Sequence, residues 1–188
     1  QSIKLGENKI IVAGGQENMS RAPHSIFYRE DKKLDENKLV DTMINDGLID
    51  SFNNYHMGIT AENVAEKYKI SRDEQDLFAL NSQEKTQKAI NENRFKNELI
   101  KLNIAIDDKN FLFEKDEHPR KNLNLEDLKK LKTVFKENGT VTAGNSSGIN
   151  DGAAATILMS REEAELRGIE PLAKVVSWAT CGVEPSLM

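Results

Sequence analysis

The segment from Ala143 to Gly152 is the part of the sequence best suited in composition to hold a ligand. Glycine, serine and alanine surround Asn145 and Asn150. Because small side chains let backbone amides and hydroxyl groups approach a bound molecule closely, the segment could form a ligand-binding loop. The same composition suits a tight corner between two strands, where small residues are needed for packing. The residues alone leave these two interpretations level.

A second candidate is the stretch "YHMGITAEN", which runs from Tyr55 to Asn63 and leads into a predicted helix. His56 could donate a hydrogen bond to a ligand carbonyl, and Met57 could pack against an apolar chain. The alternative is an ordinary helix start with Met57 in the core. Without further information, the pattern favours that alternative.

A third candidate is a predicted helix that begins at Asn124, with apolar residues recurring as far as Phe135. Arg120 and Lys121 lie just upstream, and the helix itself contains Lys129, Lys130 and Lys132. These cations could engage a nucleotide phosphate while Leu131 and Phe135 form an apolar wall. A charged helix face is more commonly just solvated.

Metal and thiol chemistry are not favoured by the sequence. The three histidines are scattered, and no pair has metal-ligand spacing on a helix, so we predict no metal site. Cys181 is the single cysteine, which excludes an internal disulfide framework. It follows an apolar stretch and has no basic neighbour to activate it. We therefore expect a small buried side chain and not a nucleophile.

Composition excludes two classes of partner. The 188 residues carry a formal net charge of −5, which argues against non-specific nucleic-acid binding. No apolar run approaches the roughly 20 residues that span a bilayer, so we expect no membrane partner. No signal peptide is visible, and the default expectation is a cytoplasmic protein. Because the sequence starts at Gln1 and stops after an apolar segment, we expect a partial chain.

Patterning predicts α/β structure at both ends of the chain and a helical insertion between them. Capping-box sequences at Ser71 and Ser160 open two of the predicted helices, and Gly168 is placed to end the second. The other predicted helices start near Val40, Thr60 and Asn124. Strands are predicted at 10–13 (buried, and closed by Gly14-Gly15), 100–106, 140–142 and 173–179, with a loop at 109–121.

Several segments together resemble the thiolase family, most closely its biosynthetic acetyl-CoA acetyltransferase branch. They are "VAGGQENMSRAPH" from Val12, "YHMGITAENVAEKY" from Tyr55, "SRDEQDLFALNSQ" from Ser71, "DEHPR" from Asp116, "GTVTAGNSSGINDGAAA" from Gly139 and "PLAKVVSWATCGVEP" from Pro171. The resemblance covers nearly the whole chain in the family's order.

The resemblance implies a partial thiolase-like layered α/β fold, with a mixed-sheet core and a mainly helical inserted loop domain. It places the end of the N-terminal half at 1–18 and the coenzyme-A-binding loop domain at 19–146. The return to the first half is placed at 147–171, and the start of the C-terminal half at 172–188. Ser20 to Lys38 resembles the family's tetramerisation loop.

The chemistry implied is a Claisen condensation of two acetyl-CoA molecules to acetoacetyl-CoA and CoA, or the reverse thiolysis, in lipid metabolism. It proceeds through an acyl-cysteine, which divides one difficult step into two easier ones. The family's two cysteines, histidine and asparagine motif match no position here. We therefore expect no catalytic residue in this chain, and we expect the fragment alone to be inactive. The CoA thioester is the substrate, and no other cofactor is implied.

The family's coenzyme-A contacts can be carried over by motif position. His56 and Met57 resemble the pair near the pantetheine and thioester, and Ser147 resembles the serine at the pantetheine amide. Three further positions resemble the apolar wall of the pantetheine site: Ala143, Leu131 and Phe135. Arg120 resembles the arginine near the adenine nucleotide. Implied partners are acetyl-CoA, acetoacetyl-CoA and further copies of the chain, as a homotetramer or dimer. A degradative 3-ketoacyl-CoA thiolase, or a non-catalytic CoA-binding or oligomerisation module, remains as an alternative.

Overall fold

The computed structural model describes residues 1–26, 39–106 and 109–188. Residues 27–38, which make up most of the predicted tetramerisation loop, lie outside the described residues. Within the described ranges there are six strands and five α-helices. They are β1 (Ile10–Asn18), β2 (His24–Ser25), β3 (Val40–Asp41), α1 (Thr42–Gly47), α2 (Met57–Tyr68), α3 (Arg72–Asn91), β4 (Leu102–Ile106), β5 (Lys109–Phe113), α4 (Leu125–Lys129), β6 (Asp151–Met159) and α5 (Arg161–Leu166).

The chain divides into two compact units. The strand unit comprises Gln1–Gly47 and Ile149–Val183, and the helical unit comprises Leu48–Gly148 and Glu184–Met188. The four-part domain division given by the resemblance stays a prediction.

The strand unit is built on an antiparallel ladder between β1 and β6. Pairing runs without a break from Ile10 opposite Met159 to Asn18 opposite Asp151. The prediction that Gly14-Gly15 closes the first strand was therefore wrong, because both glycines keep partners in the ladder. The prediction that this strand is buried was also wrong. Val12 is 71% exposed, because β1 has β6 as its only strand neighbour among the described residues.

The end of the strand unit confirms the start and end of one predicted helix and corrects three other predictions. Ser160 caps α5 by accepting from the Glu163 backbone N–H, and Gly168, with φ +65°, follows the last helical turn. The Glu163 carboxylate pairs with Arg167 instead of completing a capping box. Residues 173–179 form no strand, since no described segment pairs with them, and Cys181 is exposed instead of buried.

The helical unit begins with α2, which starts earlier than expected. Thr60 was predicted as the cap, but His56 takes that position and Met57 is the first helical residue. The capping box at Ser71 is confirmed: its hydroxyl accepts from the Glu74 N–H, and the Glu74 carboxylate accepts from the Ser71 N–H. Residues 40–41 form β3 before α1 begins at Thr42, so the helix predicted near Val40 starts two residues later.

Between α3 and α4 the chain forms a hairpin that was only half predicted. The strand over 102–106 is confirmed, but residues 109–113 pair with it as β5 and are not a loop. α4 is only five residues long, so Leu131 and Phe135 lie beyond it. The predicted strand at 140–142 is reduced to a single bridge between Thr133 and Thr142. No helix in the described part is both long and apolar enough to cross a membrane.

Candidate functional site

The structure stacks two of the predicted site residues on each other. The ring centroids of His56 and Phe135 are 4.6 Å apart, with an interplanar angle of 22°. Gly58 makes this approach possible, because a Cβ atom at that position would overlap the ring of Phe135. The first turn of α2 and the segment after α4 therefore pack closely because Gly58 has no side chain.

Hydrogen bonding determines which nitrogen of His56 carries the proton. Nδ1 accepts from the Gly58 backbone N–H at 2.9 Å, as an N-cap side chain does. A nitrogen that accepts is unprotonated, so the neutral imidazole carries its proton on Nε2. His56 can therefore offer a hydrogen-bond donor to a ligand while its other nitrogen holds the helix.

Met57 follows directly and is fixed by its backbone. Its N–H donates to the Leu48 carbonyl at 2.8 Å, beside a bridge between Ile49 and His56. The Met57 side chain is half-buried. The start of α2 is thus held both along the chain and across to the preceding segment.

A buried glutamate holds the start of the small-residue loop, which we define as residues 140–148. Glu62 on α2 is only 3% exposed, and its carboxylate accepts from the Thr140 N–H, the Thr140 hydroxyl and the Val141 N–H. Because hydrogen bonds to a charged acceptor are the stronger class, this one side chain anchors the loop to α2.

A second buried group holds the middle of the small-residue loop. The Asn145 side chain donates to Asp76 Oδ1 at 2.9 Å and to the Thr140 carbonyl at 3.0 Å. Its Oδ1 accepts from the Thr142 N–H at 2.7 Å. Asp76, on α3, is fully buried and also accepts from Arg72 Nε at 2.7 Å.

The apolar wall is partly assembled beside this loop. A Cβ atom at Gly144 would lie 2.5 Å from Leu128 Cδ2 and 2.6 Å from Leu131 Cδ1. The loop backbone therefore rests directly on these two leucines, and the role of Leu131 in an apolar wall stays a prediction. Ala143 and Ser147 flank this point, and both side chains are exposed.

Arg120 lines a different cleft from Phe135. A cavity of about 740 Å³ has Arg120 and Lys121 on its border together with residues of α3, and the Arg120 N–H donates to Gln83 Oε1 at 2.8 Å. A smaller cavity of about 470 Å³ is lined by residues 132–138, which include Phe135. The structure thus joins His56 to Phe135, but it records no contact between Arg120 and either of them.

Sequence reasoning missed three polar residues of the network that holds the loop, Glu62, Arg72 and Asp76, and it named Asn145 without assigning it this structural role. Arg72 and Asp76 have the i, i+4 spacing of a helical ion pair, which was a usable signal. Glu62 gave none, because an isolated glutamate in a helix is ordinarily solvated. In the described ranges, no group of three or more histidine, cysteine or acidic side chains is placed to hold a metal ion.

Comparison with known proteins gives the family. The chain matches the thiolase N-terminal domain over residues 1–162, and it belongs to that family. It is 50% identical over all 188 residues to the acetyl-CoA acetyltransferase of Rhizobium meliloti. It is 48% identical over 190 aligned residues to the cytosolic acetyl-CoA acetyltransferase of Rattus norvegicus.

The fold is that of the same family. The crystal structure of the Bacillus anthracis acetyl-CoA acetyltransferase superposes with a TM-score of 0.92 at 40% identity, over 99% of this chain and 47% of the other. The predicted α/β thiolase-like fold is confirmed. The chain spans about half the length of the curated relatives it matches, 48% in the case of the Rhizobium meliloti protein.

Proposed function

We propose that this chain is the CoA-thioester-binding part of an acetyl-CoA acetyltransferase. The complete protein would condense two acetyl-CoA molecules to acetoacetyl-CoA and CoA, or run the reverse thiolysis, through an acyl-cysteine formed outside this chain. The observation that carries the proposal is 50% identity, across the whole chain, to a protein named acetyl-CoA acetyltransferase.

The stacked pair gives this proposal a chemical role within the chain. With Nδ1 engaged by the backbone, His56 offers its Nε2 proton to a thioester or pantetheine carbonyl. Phe135, stacked on the imidazole at 4.6 Å, restricts the ring's rotation. A donor fixed before the ligand arrives stabilises developing negative charge more effectively than a mobile one. Met57 would add apolar contact at the same helix start.

The small-residue loop and the Arg120 cleft supply the remaining contacts. Ser147 carries an exposed hydroxyl for the pantetheine amide, and Ala143 and Leu131 would add apolar surface, Leu131 from its place beside Gly144. Arg120 and Lys121 bring two positive charges to one border of a cavity of about 740 Å³, whose α3 side carries Lys88 together with Glu84 and Glu92.

Partners and location follow from the same proposal. We propose acetyl-CoA and acetoacetyl-CoA as ligands, a homotetramer or dimer, no bound cofactor beyond the thioester itself, and a cytoplasmic protein. The relative from Rattus norvegicus is described as cytosolic, which supports the location.

The direct test measures the complete polypeptide that carries this sequence. We expect thiolysis of acetoacetyl-CoA with a kcat/KM at least tenfold above that for longer 3-ketoacyl-CoA thioesters. A preference for the longer substrates would replace the proposal with a degradative thiolase. Absence of turnover with either class would leave a CoA-binding or oligomerisation module.

His56→Asn tests the proposed donor without removing the helix cap. Asparagine is a preferred N-cap residue, so α2 keeps its start while the imidazole is lost. We expect kcat/KM for acetoacetyl-CoA to fall at least tenfold, with only the small fall in the unfolding midpoint that loss of the stack on Phe135 causes. The control is His24→Asn, at an exposed strand position, which should leave both quantities unchanged. Equal kinetics in the two variants would contradict the assignment.

A further inference from the structure

We propose that Asn145, held by Asp76, is a positioning residue that sets the ligand-binding conformation of the small-residue loop. The inference deepens the proposed function and rests on it. Asn145 would act on the bound thioester only through the loop residues on either side of it, and would not touch the thioester itself.

The first support is that Asn145 uses its whole amide within the protein. Its oxygen accepts from the Thr142 N–H, and its nitrogen donates both to the Thr140 carbonyl and to Asp76 Oδ1, over 2.7 to 3.0 Å. Two of these bonds close the loop on itself, and the third ties the loop to α3. The Asn145 side chain is therefore the link between the loop's own conformation and the helix.

The second support is the burial of the group that holds Asn145. Asp76 is 0% exposed, and its other oxygen accepts from Arg72 Nε at 2.7 Å. Arg72 Nη2 donates in turn to the Leu128 carbonyl at 2.6 Å and to the Leu131 carbonyl at 3.2 Å. One ion pair thus connects the loop to the backbone of the apolar wall on which Gly144 rests.

Stability alone gives a weak reason for such a network. Desolvating two charges offsets much of their attraction, and well-packed apolar residues often stabilise a core at least as well as a buried ion pair. A fully bonded polar network does specify one geometry, because each alternative leaves a buried group unpaired. The network therefore fixes the position of the loop relative to Leu131.

The proposed thioester site requires the loop to hold this position. Ala143 and Ser147 each lie two residues from Asn145, on opposite sides. A change that moves Asn145 therefore displaces both contacts at once. Contacts made equally to the bound substrate and to the transition state appear in KM, so the loss should raise KM and leave kcat nearly unchanged.

The chain offers a matched control for the purely structural role. Glu163 on α5 and Arg167, which directly follows this helix, form another i, i+4 pair, with Nε to Oε1 at 2.6 Å and a glutamate only 8% exposed. This pair lies in the strand unit and bonds to no residue of the small-residue loop. Glu163→Gln therefore weakens a half-buried ion pair without altering the loop.

The test compares Asn145→Asp with Glu163→Gln in the complete protein. Asn145→Asp sets a second carboxylate against the buried Asp76, and like charges at hydrogen-bond distance repel. We expect KM for acetoacetyl-CoA to rise at least tenfold in Asn145→Asp with kcat within about twofold. Both values should stay at the wild-type level in Glu163→Gln.

Amide hydrogen exchange gives a reading that does not need turnover. The Thr142 and Gly144 amides, which are bonded inside the loop, should exchange at least tenfold faster in Asn145→Asp and at the wild-type rate in Glu163→Gln. If Asn145→Asp does not fold, Asn145→Ala removes the same bonds without adding charge and should show the same KM shift.

The outcomes separate this inference from the proposed function. An inactive wild-type protein overturns the proposed function, whatever the exchange rates are. An active wild type, with KM unchanged in the folded Asn145 variant, overturns the positioning role. So does an unchanged exchange rate, or a loss confined to kcat.

Discussion

The two units of the chain differ in where their long elements find their contacts. In the helical unit, charged groups lie inside: Asp76 is fully buried and Glu62 nearly so, and both have complete sets of donors. The strand unit also buries a carboxylate, Glu163, but its long strands are left open: Ile157 on β6 is 65% exposed and Val12 on β1 is 71% exposed. A helix forms its backbone bonds within its own segment, whereas a strand needs neighbouring strands.

The difference lies in whether a unit completes its contacts with its own residues. Helix caps and side-chain bonds to a nearby loop are completed within the helical unit, so that unit holds its candidate ligand contacts with its own residues. The long apolar strands β1 and β6 have each other and no third strand in the described ranges. Three predictions test this contrast, each by the same kind of change in both units.

The largest effect is expected from filling Gly58. Gly58→Val places a branched side chain into the ring of Phe135, and overpacking of this kind costs about 3 kcal/mol. The matched change is Gly15→Val in β1, where a Cβ atom meets nothing within 4 Å. Urea unfolding should show a large loss for the first variant and almost none for the second. Similar losses at both positions would contradict the close packing at the start of α2.

A smaller effect is expected from Glu62→Gln. The amide keeps one acceptor oxygen but sets an NH2 group toward backbone donors, so one charged hydrogen bond is lost, at about 2 kcal/mol. Asp151→Asn makes the same change at an exposed carboxylate that accepts from Ser20, and its effect should be much smaller. Unfolding free energies measured in urea decide this. Equal losses would mean that burial of the carboxylate does not set the size of the effect.

The smallest effect is a pH dependence shared by both units. The Ser20 hydroxyl, together with the Ser20 N–H, lowers the pKa of Asp151 below its usual 3.8. The Ser71 N–H and then the Ser71 hydroxyl lower the pKa of Glu74 below 4.5. A carboxylate with a lowered folded-state pKa stabilises the protein above its unfolded pKa, and this stabilisation is lost as pH falls through the folded value.

Ser20→Ala and Ser71→Ala should each raise the pKa of the partner carboxylate toward its ordinary value, as followed by NMR titration. Their destabilisation relative to wild type should be full at neutral pH and should shrink as pH falls below about 4. A gap that stays constant down to the lowest pH would show that the serines act without the carboxylates.

Local signals in the sequence predicted a good part of this molecule. The capping box at Ser71 and the helix end at Gly168 appear as the residues indicated. These features depend on atoms a few residues apart, so the sequence contains both partners. The period-2 pattern over 102–106 also predicted β4 correctly, but not β5, because residues 109–113 have a strand conformation only through pairing with β4.

Two of the errors have different causes, a distant partner in one case and an uncommon local cap in the other. α4 ends at Lys129 and does not continue to Phe135. Near this end, the Arg72 guanidinium donates hydrogen bonds to the carbonyls of Leu128 and Leu131. α2 begins at Met57 because the imidazole of His56 turns back to the Gly58 N–H, a cap that is less common than serine or threonine. Neither arrangement has a repeating pattern that a sequence displays.

The sequence by itself determined the family, the helices with strong caps, and the residue types that a thioester ligand would need. Tertiary structure decided the rest: that His56 stacks on Phe135, that Glu62 and Asn145 hold the small-residue loop, and that Arg120 lines a separate cleft. The physical reason is the distance along the sequence between the residues that interact. Caps are completed within one helical turn, whereas contacts such as those of Glu62 or Asn145 join residues about 70 or more positions apart, and only the folded chain brings these together.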